Sequence, residues 1–202
     1  MVLDDFLKSS NVNYKKIKNK EDSFFYFEHQ DIPDLRVLMT SGLSQLKMDV
    51  HEKHVGEEFA ELYFLLPVYW QEEDLYKEEN EWVFTCLSKI KNHIETNNAW
   101  VGHGHTFSFK NAEVFFLNSS IPTQFMITRP IELKELLKPI QSEKQVIHFL
   151  ALFPIYKNEL SYKEARGTFK LEEKLRQCQI TEKMDGYRET VIKSRFSRLF
   201  RK

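Results

Sequence analysis

Apolar positions along this chain fall mostly into short runs, with one longer stretch of helical period. Over residues 81–96, Val83, Leu87, Ile90 and Ile94 recur at spacings of four, three and four, and Trp82 and Cys86 widen the stripe. That spacing predicts a helix with one apolar face. Burying such side chains contributes about 1.5–3 kcal/mol each, so packing on a sheet rather than intrinsic propensity holds the helix. Residues 60–66 are almost wholly apolar and stop at Pro67, the pattern of a central strand covered on both faces. Residues 24–27, 37–40, 106–109, 113–117, 124–128 and 146–153 read as further strands, the last ended by Pro154. Leu46, Met48 and Val50 alternate with Gln45, Lys47 and Asp49, which predicts a strand with one face buried.

The ends of the chain are less regular. Residues 3–7 are apolar and acidic, 14–18 polar and basic, and the stretch accommodates a short helix. Residues 133–140, flanked by prolines, follow neither period. Ser161 with Glu164 has the form of a capping box opening a helix, Gly167 closes it, and Phe169, Leu171 and Leu175 continue in a second. Ile192, Phe196, Leu199 and Phe200, with Arg188, Lys193, Arg195, Arg198, Arg201 and Lys202 between them, describe a basic amphipathic helix. Such a terminal helix most often docks on its own domain, although anionic membranes and nucleic acid also accept one. Strands around two helical blocks give an α+β domain over residues 1–181, a central mixed or mostly antiparallel sheet flanked by helices. Residues 182–202 follow as a basic helix or tail.

Composition fits one compact domain: 202 residues, 42% hydrophobic and 14% aromatic, with only six Gly and six Pro. Cys86 and Cys178 are the only cysteines, too few for a disulfide framework, and the start of the chain lacks the pattern of a secretory leader. A cytoplasmic protein without a membrane span is expected. Net charge is -1, but residues 182–202 hold seven Lys or Arg against three acids, which leaves -5 on the other 181.

Three groups of residues invite chemistry. Glu72, Glu73, Asp74, Glu78, Glu79 and Glu81 face Lys77 alone, with Glu52, Glu57 and Glu58 upstream. An acidic surface of this kind binds basic partners such as nucleases; the commoner explanation is a soluble surface and a favourable helix start. His51, His54, His103 and His105 could surround zinc, but no acid or thiol completes a known signature. Gly102 and Gly104 more simply allow a tight turn, with His103 bonded to backbone or lining a groove. Ser41 and Ser44 lack the Gly-x-Ser-x-Gly elbow of a hydrolase, and Cys86 on an apolar helix face is packing.

Ser-Gly-Leu-Ser at 41–44, Glu-Leu-Tyr-Phe-Leu-Leu-Pro at 61–67, Trp82, and Gly-His-Gly-His at 102–105 occur in an order and spacing that resembles the suppressor of fused family. The run 149–153 leading into Pro154, Ile155 and Tyr156, with Glu159 and Gly167 behind it, is similar to that family's closing strand and helix. The resemblance spans about residues 35–178. It implies that Ser41, Gly42, Glu61, Pro67, Trp82, Gly102, His103 and Glu159 belong to the family motif, most of them serving the fold. It also implies a binding protein without catalysis or cofactor. Animal members hold a transcription factor by taking an extended peptide between two domains; bacterial members look like immunity proteins that neutralise a toxin. A chain about one family domain long favours the second. The expectation is a cytoplasmic protein that occludes a cognate toxin, possessing no direct nucleic-acid role, with Glu72, Glu73, Asp74, Glu78 and Glu79 at the contact on electrostatic grounds. The alternatives are an adaptor binding an extended peptide by strand addition and a metal-dependent hydrolase.

Overall fold

The computed structural model describes residues 2–32, 34–109 and 124–192. Among them, eight strands form one sheet: β1 (Val12–Asn19), β2 (Asp22–His29), β3 (Arg36–Thr40), β4 (Phe59–Leu65), β5 (Thr106–Ser108), β6 (Gln124–Thr128), β7 (Ile140–Gln141) and β8 (Val146–Ile155). The sheet order is β1-β2-β3-β4-β8-β6-β5, with β7 beside the start of β8. Only β4 and β8 run parallel, from Phe59 opposite Ile147 to Tyr63 opposite Ala151; the other pairings are antiparallel. Among the described residues four α-helices accompany the sheet: α1 (Val2–Ser9), α2 (Trp82–Asn97), α3 (Lys157–Arg166) and α4 (Thr168–Gln177). The expected α+β architecture is the one observed.

Strand alternation sorts the core into layers. Phe24 and Tyr26, Leu38, Leu62 and Phe64, and Leu150 and Leu152 pack with Val83, Leu87, Ile90 and Ile94 of α2. The intervening residues Phe25 and Phe27, Val37 and Met39, Tyr63 and Leu65 pack on the other side with Leu3 and Leu7 of α1 and with Leu133 and Leu137. Further along, Met126, Phe153 and Ile155 meet Leu171 and Leu175 of α4. Central strands read as unbroken apolar runs because both their faces are covered.

Four expectations need correction. Residues 12–19 form β1, where only Val12 and Ile17 are buried; an edge strand rich in lysine carries little apolar signal. Residues 46–50 are not a strand, although Met48 is buried and Lys47 and Asp49 are exposed as the alternation requires. That segment runs extended but has no ladder partner, bonding singly through the Met48 N–H to Glu58 O at 2.9 Å and the Asp49 N–H to Asn98 O at 3.3 Å. Pro154 lies inside β8 rather than ending it. Its carbonyl accepts from Arg188 Nη2 at 2.7 Å, so its nitrogen also faces the side that β4 has vacated after Ala151, and no ladder bond is lost. Finally, α3 opens at Lys157, four residues before Ser161, because Glu159 rather than Glu164 supplies the capping carboxylate. The strand expected at 113–117 and the tail beyond Ile192 lie outside the described residues.

After α4 the chain crosses the body as a strap. Lys183 bridges Leu65 in parallel, and the Met184 N–H donates to Leu65 O at 2.9 Å. The strap thus fills the place beside β4 that β8 leaves. Its described part, through Ile192, is not helical.

Candidate functional site

The structure brings Gly42 onto Glu61, whereas the Ser41 N–H donates to Ser23 O at 3.1 Å. Glu61 is fully buried, and its carboxylate accepts from the Gly42 N–H and the Ser44 N–H at 3.1 Å each, from Ser44 Oγ at 2.7 Å, and from Thr40 Oγ1. Gly42, at φ 103°, bends the chain so that its own N–H and that of Ser44 converge on the acid. Burial pushes the Glu61 carboxyl above its ordinary range, and the hydroxyl and N–H donors pull against that rise. The Ser44 hydroxyl is engaged as a donor to the buried Glu61 carboxyl, which assigns it to the fold.

Two more glutamates are buried in the same manner. Glu182 accepts from Tyr63 Oη at 3.1 Å, from the Ile131 N–H at 2.9 Å and from the Glu132 and Leu133 N–H groups. Burial and the neighbouring Glu182 raise the Tyr63 phenol well above its ordinary value. Glu159 accepts a two-pronged bond from Arg188 at 2.9 and 2.7 Å and takes the Tyr156 and Val191 N–H groups at 2.9 Å. Burial pushes its carboxyl up, but the Arg188 guanidinium outweighs that and holds it below the ordinary range. Arg188 is itself only 6% exposed and stacks over Tyr156 at 4.6 Å and Phe153 at 5.4 Å. Arg188, expected on a basic tail helix, sits instead in the non-helical strap; Glu182 and the clamp on Arg188 carry no local sequence signal, since their partners lie far along the chain.

The other motif residues sit elsewhere. Pro67 is buried where β4 ends, its carbonyl accepting from the Trp70 N–H at 3.0 Å. Trp82 opens α2, packed edge-on to Phe64 at 5.5 Å and beside Phe125 at 5.7 Å. Gly102 is buried under the Trp100 indole, where a Cβ would lie 2.3 Å from a ring carbon. Gly102, His103, Trp100, Glu57, Arg129 and His148 line a shallow cleft. Around it His54 stacks on Trp100 at 4.0 Å and His105 meets its edge at 4.7 Å. Glu57 links His54 at 3.1 Å to Arg129 at 2.8 Å, and His103 Nε2 lies 3.2 Å from Glu172. Burial, and then Lys163 and His54, lower the His105 imidazole below its ordinary value. His51 caps the turn Glu52–His54 instead of joining this group. Among the described residues no three His, Cys, Asp or Glu are arranged to hold a metal ion. Cys86 is buried, and burial pushes its thiol up to about 12, the state of inert packing.

The acidic residues occupy two consecutive 3-10 turns, Glu72–Tyr76 and Glu78–Asn80, held by buried Leu75. Asp74 works locally, accepting the Gln71 N–H and pairing with Lys77, both at 2.6 Å. Glu72 pairs with Lys15 of β1. Glu73, Glu78 and Glu79 are exposed.

The family described as suppressor of fused protein (SUFU) matches residues 20–189. A suppressor of fused homologue from Neisseria gonorrhoeae superposes with a TM-score of 0.63 at 16% identity, over 96% of this chain and 94% of that one. A chain of the Sufu–Fu complex superposes at 0.64 with 15% identity, over 98% and 91%. No curated protein matches the chain. Both likenesses are of fold, and no described helix is long and apolar enough to cross a membrane. With 170 of its 202 residues within the family's span, the chain belongs to the suppressor of fused family.

Proposed function

We propose that this chain is a non-catalytic binding protein that neutralises a cognate toxin by covering its active surface. The observation that carries the reading is the division of labour among acids. Glu61, Glu159 and Glu182 are wholly buried in bonds that hold the fold, whereas Glu73, Glu78 and Glu79 stand on an exposed loop. Carboxylates free of structural work steer a basic partner and suppress wrong ones. The Sufu–Fu complex shows a relative of this fold engaged with another protein, which supports a binding role. An interface of ordinary size would bury about 1,200–2,000 Å² in total. The test is growth of cells expressing the toxin encoded beside this gene, with and without this chain, followed by co-purification. Rescue with a stable complex supports the reading. Neither rescue nor complex removes it, and binding of a short extended peptide in its place would make the chain an adaptor.

A further inference from the structure

Exposed rings gather beside the acidic loop. Val68 is 41% exposed, Tyr69 53%, Tyr76 49% and Tyr187 84%. Tyr69 and Tyr187 come from segments more than a hundred residues apart, yet their ring centroids lie 6.1 Å from each other. Clustered exposed apolar surface is a sign of recognition rather than of chance, particularly when it is rimmed by charge.

The exposed Tyr187 is mounted on a fixed backbone. Its N–H donates to Asp185 Oδ1 at 2.8 Å. The next residue, Arg188, is clamped on buried Glu159 at 2.7 and 2.9 Å, and its carbonyl accepts from the Tyr156 hydroxyl. Tyr69 is steadied in turn by Arg36, whose Nη1 donates to Val68 O at 2.8 Å. Two rings held this way lose little freedom when a partner arrives, which is how a binding surface gains affinity without new contacts. Asp185 is exposed between them, and Glu73, Glu78 and Glu79 follow on the same loop as Tyr69. Nearby cations are already engaged: Lys15 with Glu72, Lys77 with Asp74, Arg36 with Glu28.

We propose that Tyr69 and Tyr187, with the carboxylates of Asp185, Glu73, Glu78 and Glu79 as rim, form the docking face for an arginine-rich surface of a partner protein. A guanidinium satisfies both halves of this face, stacking flat on a phenol ring while its N–H groups reach carboxylates; an ammonium does only the second well. The same face of a second copy is a poor occupant, because that contact would bring acids against acids. An anionic membrane or nucleic acid is repelled for the same reason. The inference rests on the binding role proposed above but does not require that the partner be toxic.

The experiment places the photo-crosslinking residue p-benzoylphenylalanine at Tyr187 of the full chain, and, as control, at Phe169, which is 67% exposed on α4. After irradiation in the cells that make the protein, the crosslinked peptides are sequenced. The expected result is capture from position 187, and not from 169, of an arginine-bearing segment of one partner. The purified partner should then bind Tyr187→Ala or Tyr69→Phe,Tyr187→Ala about tenfold or more weakly than the unaltered chain, at unchanged melting temperature. Replacing the partner's crosslinked arginine by lysine should weaken binding as well. Capture of a second copy, capture of an acidic or wholly apolar segment, equal capture from both positions, no capture, or undiminished affinity would each overturn the proposal. A captured partner that is harmless when expressed alone would leave the docking face standing and remove the toxin reading; a neutralised toxin captured elsewhere would do the reverse.

Discussion

Glu61, Glu159 and Glu182 differ in what answers their charge, and so in what their loss should do. Glu182 and Glu61 are met chiefly by backbone N–H groups and hydroxyls. Glu182→Ala would leave the buried Leu133 N–H and Tyr63 hydroxyl without an acceptor, at about 1–3 kcal/mol for each orphan; urea denaturation should show a clearly lowered midpoint. Glu159 is met by a guanidinium instead. Arg188→Met strands a buried carboxylate and should cost about 3–5 kcal/mol, whereas Glu159→Leu with Arg188→Met removes both charges and should cost less. The pH dependence follows from the lowered Glu159 carboxyl. An unfolded chain takes up its proton in the ordinary carboxylate range and the folded one only below it, so the stability from this pair is complete above that range. It is lost as pH falls through the folded value. Glu159→Gln should therefore flatten the acid limb of a stability profile while lowering its neutral plateau. The family resemblance pointed to Glu61 and Glu159. Glu182 escaped notice because its acceptor role is written in backbone geometry 50 residues away.

Helix α2 was legible because its apolar side chains repeat in phase with its turn, and strands β2, β3, β4 and β6 because both their faces are covered, which makes them short unbroken apolar runs. Strand β1 was hidden because its exposed face holds lysines and its hydrogen-bonding edge is open. Residues 46–50 show the converse, a genuine alternation of buried and exposed side chains without a neighbouring strand. Alternation reports an extended chain lying on a core; only tertiary neighbours decide whether a ladder forms. The Gly102 turn was anticipated, but not its cause. Gly102→Ala would push a methyl into the Trp100 ring, for which about 1–3 kcal/mol is expected, together with a shift of tryptophan emission as the indole is displaced. The cleft of histidines around Trp100 was partly foreseen as a meeting of pairs; His51 turned out to cap a turn, and His148 of β8 took a place among them.

For the molecule as a whole, the acidic loop is the region where function and stability separate. Glu73→Lys, Glu78→Lys and Glu79→Lys together should weaken partner binding and its salt dependence while the melting temperature moves by no more than about 5 °C, since each surface change of this kind stays within about 0.5 kcal/mol. Glu72 and Asp74 do not belong in that variant, because Lys15 and the Gln71 turn depend on them. Calorimetry beside titration with the partner separates the two effects. The parallel pairing at the centre of the sheet has a consequence for synthesis. Phe59 of β4 pairs with Ile147, 88 residues later, so β4 leaves the ribosome with one hydrogen-bonding edge bare and stays so until β8 emerges. Closing so long a loop is slow, and a bare apolar edge recruits other chains meanwhile. Chains stalled before residue 146 should therefore depend on chaperones, and chains released after 155 should not.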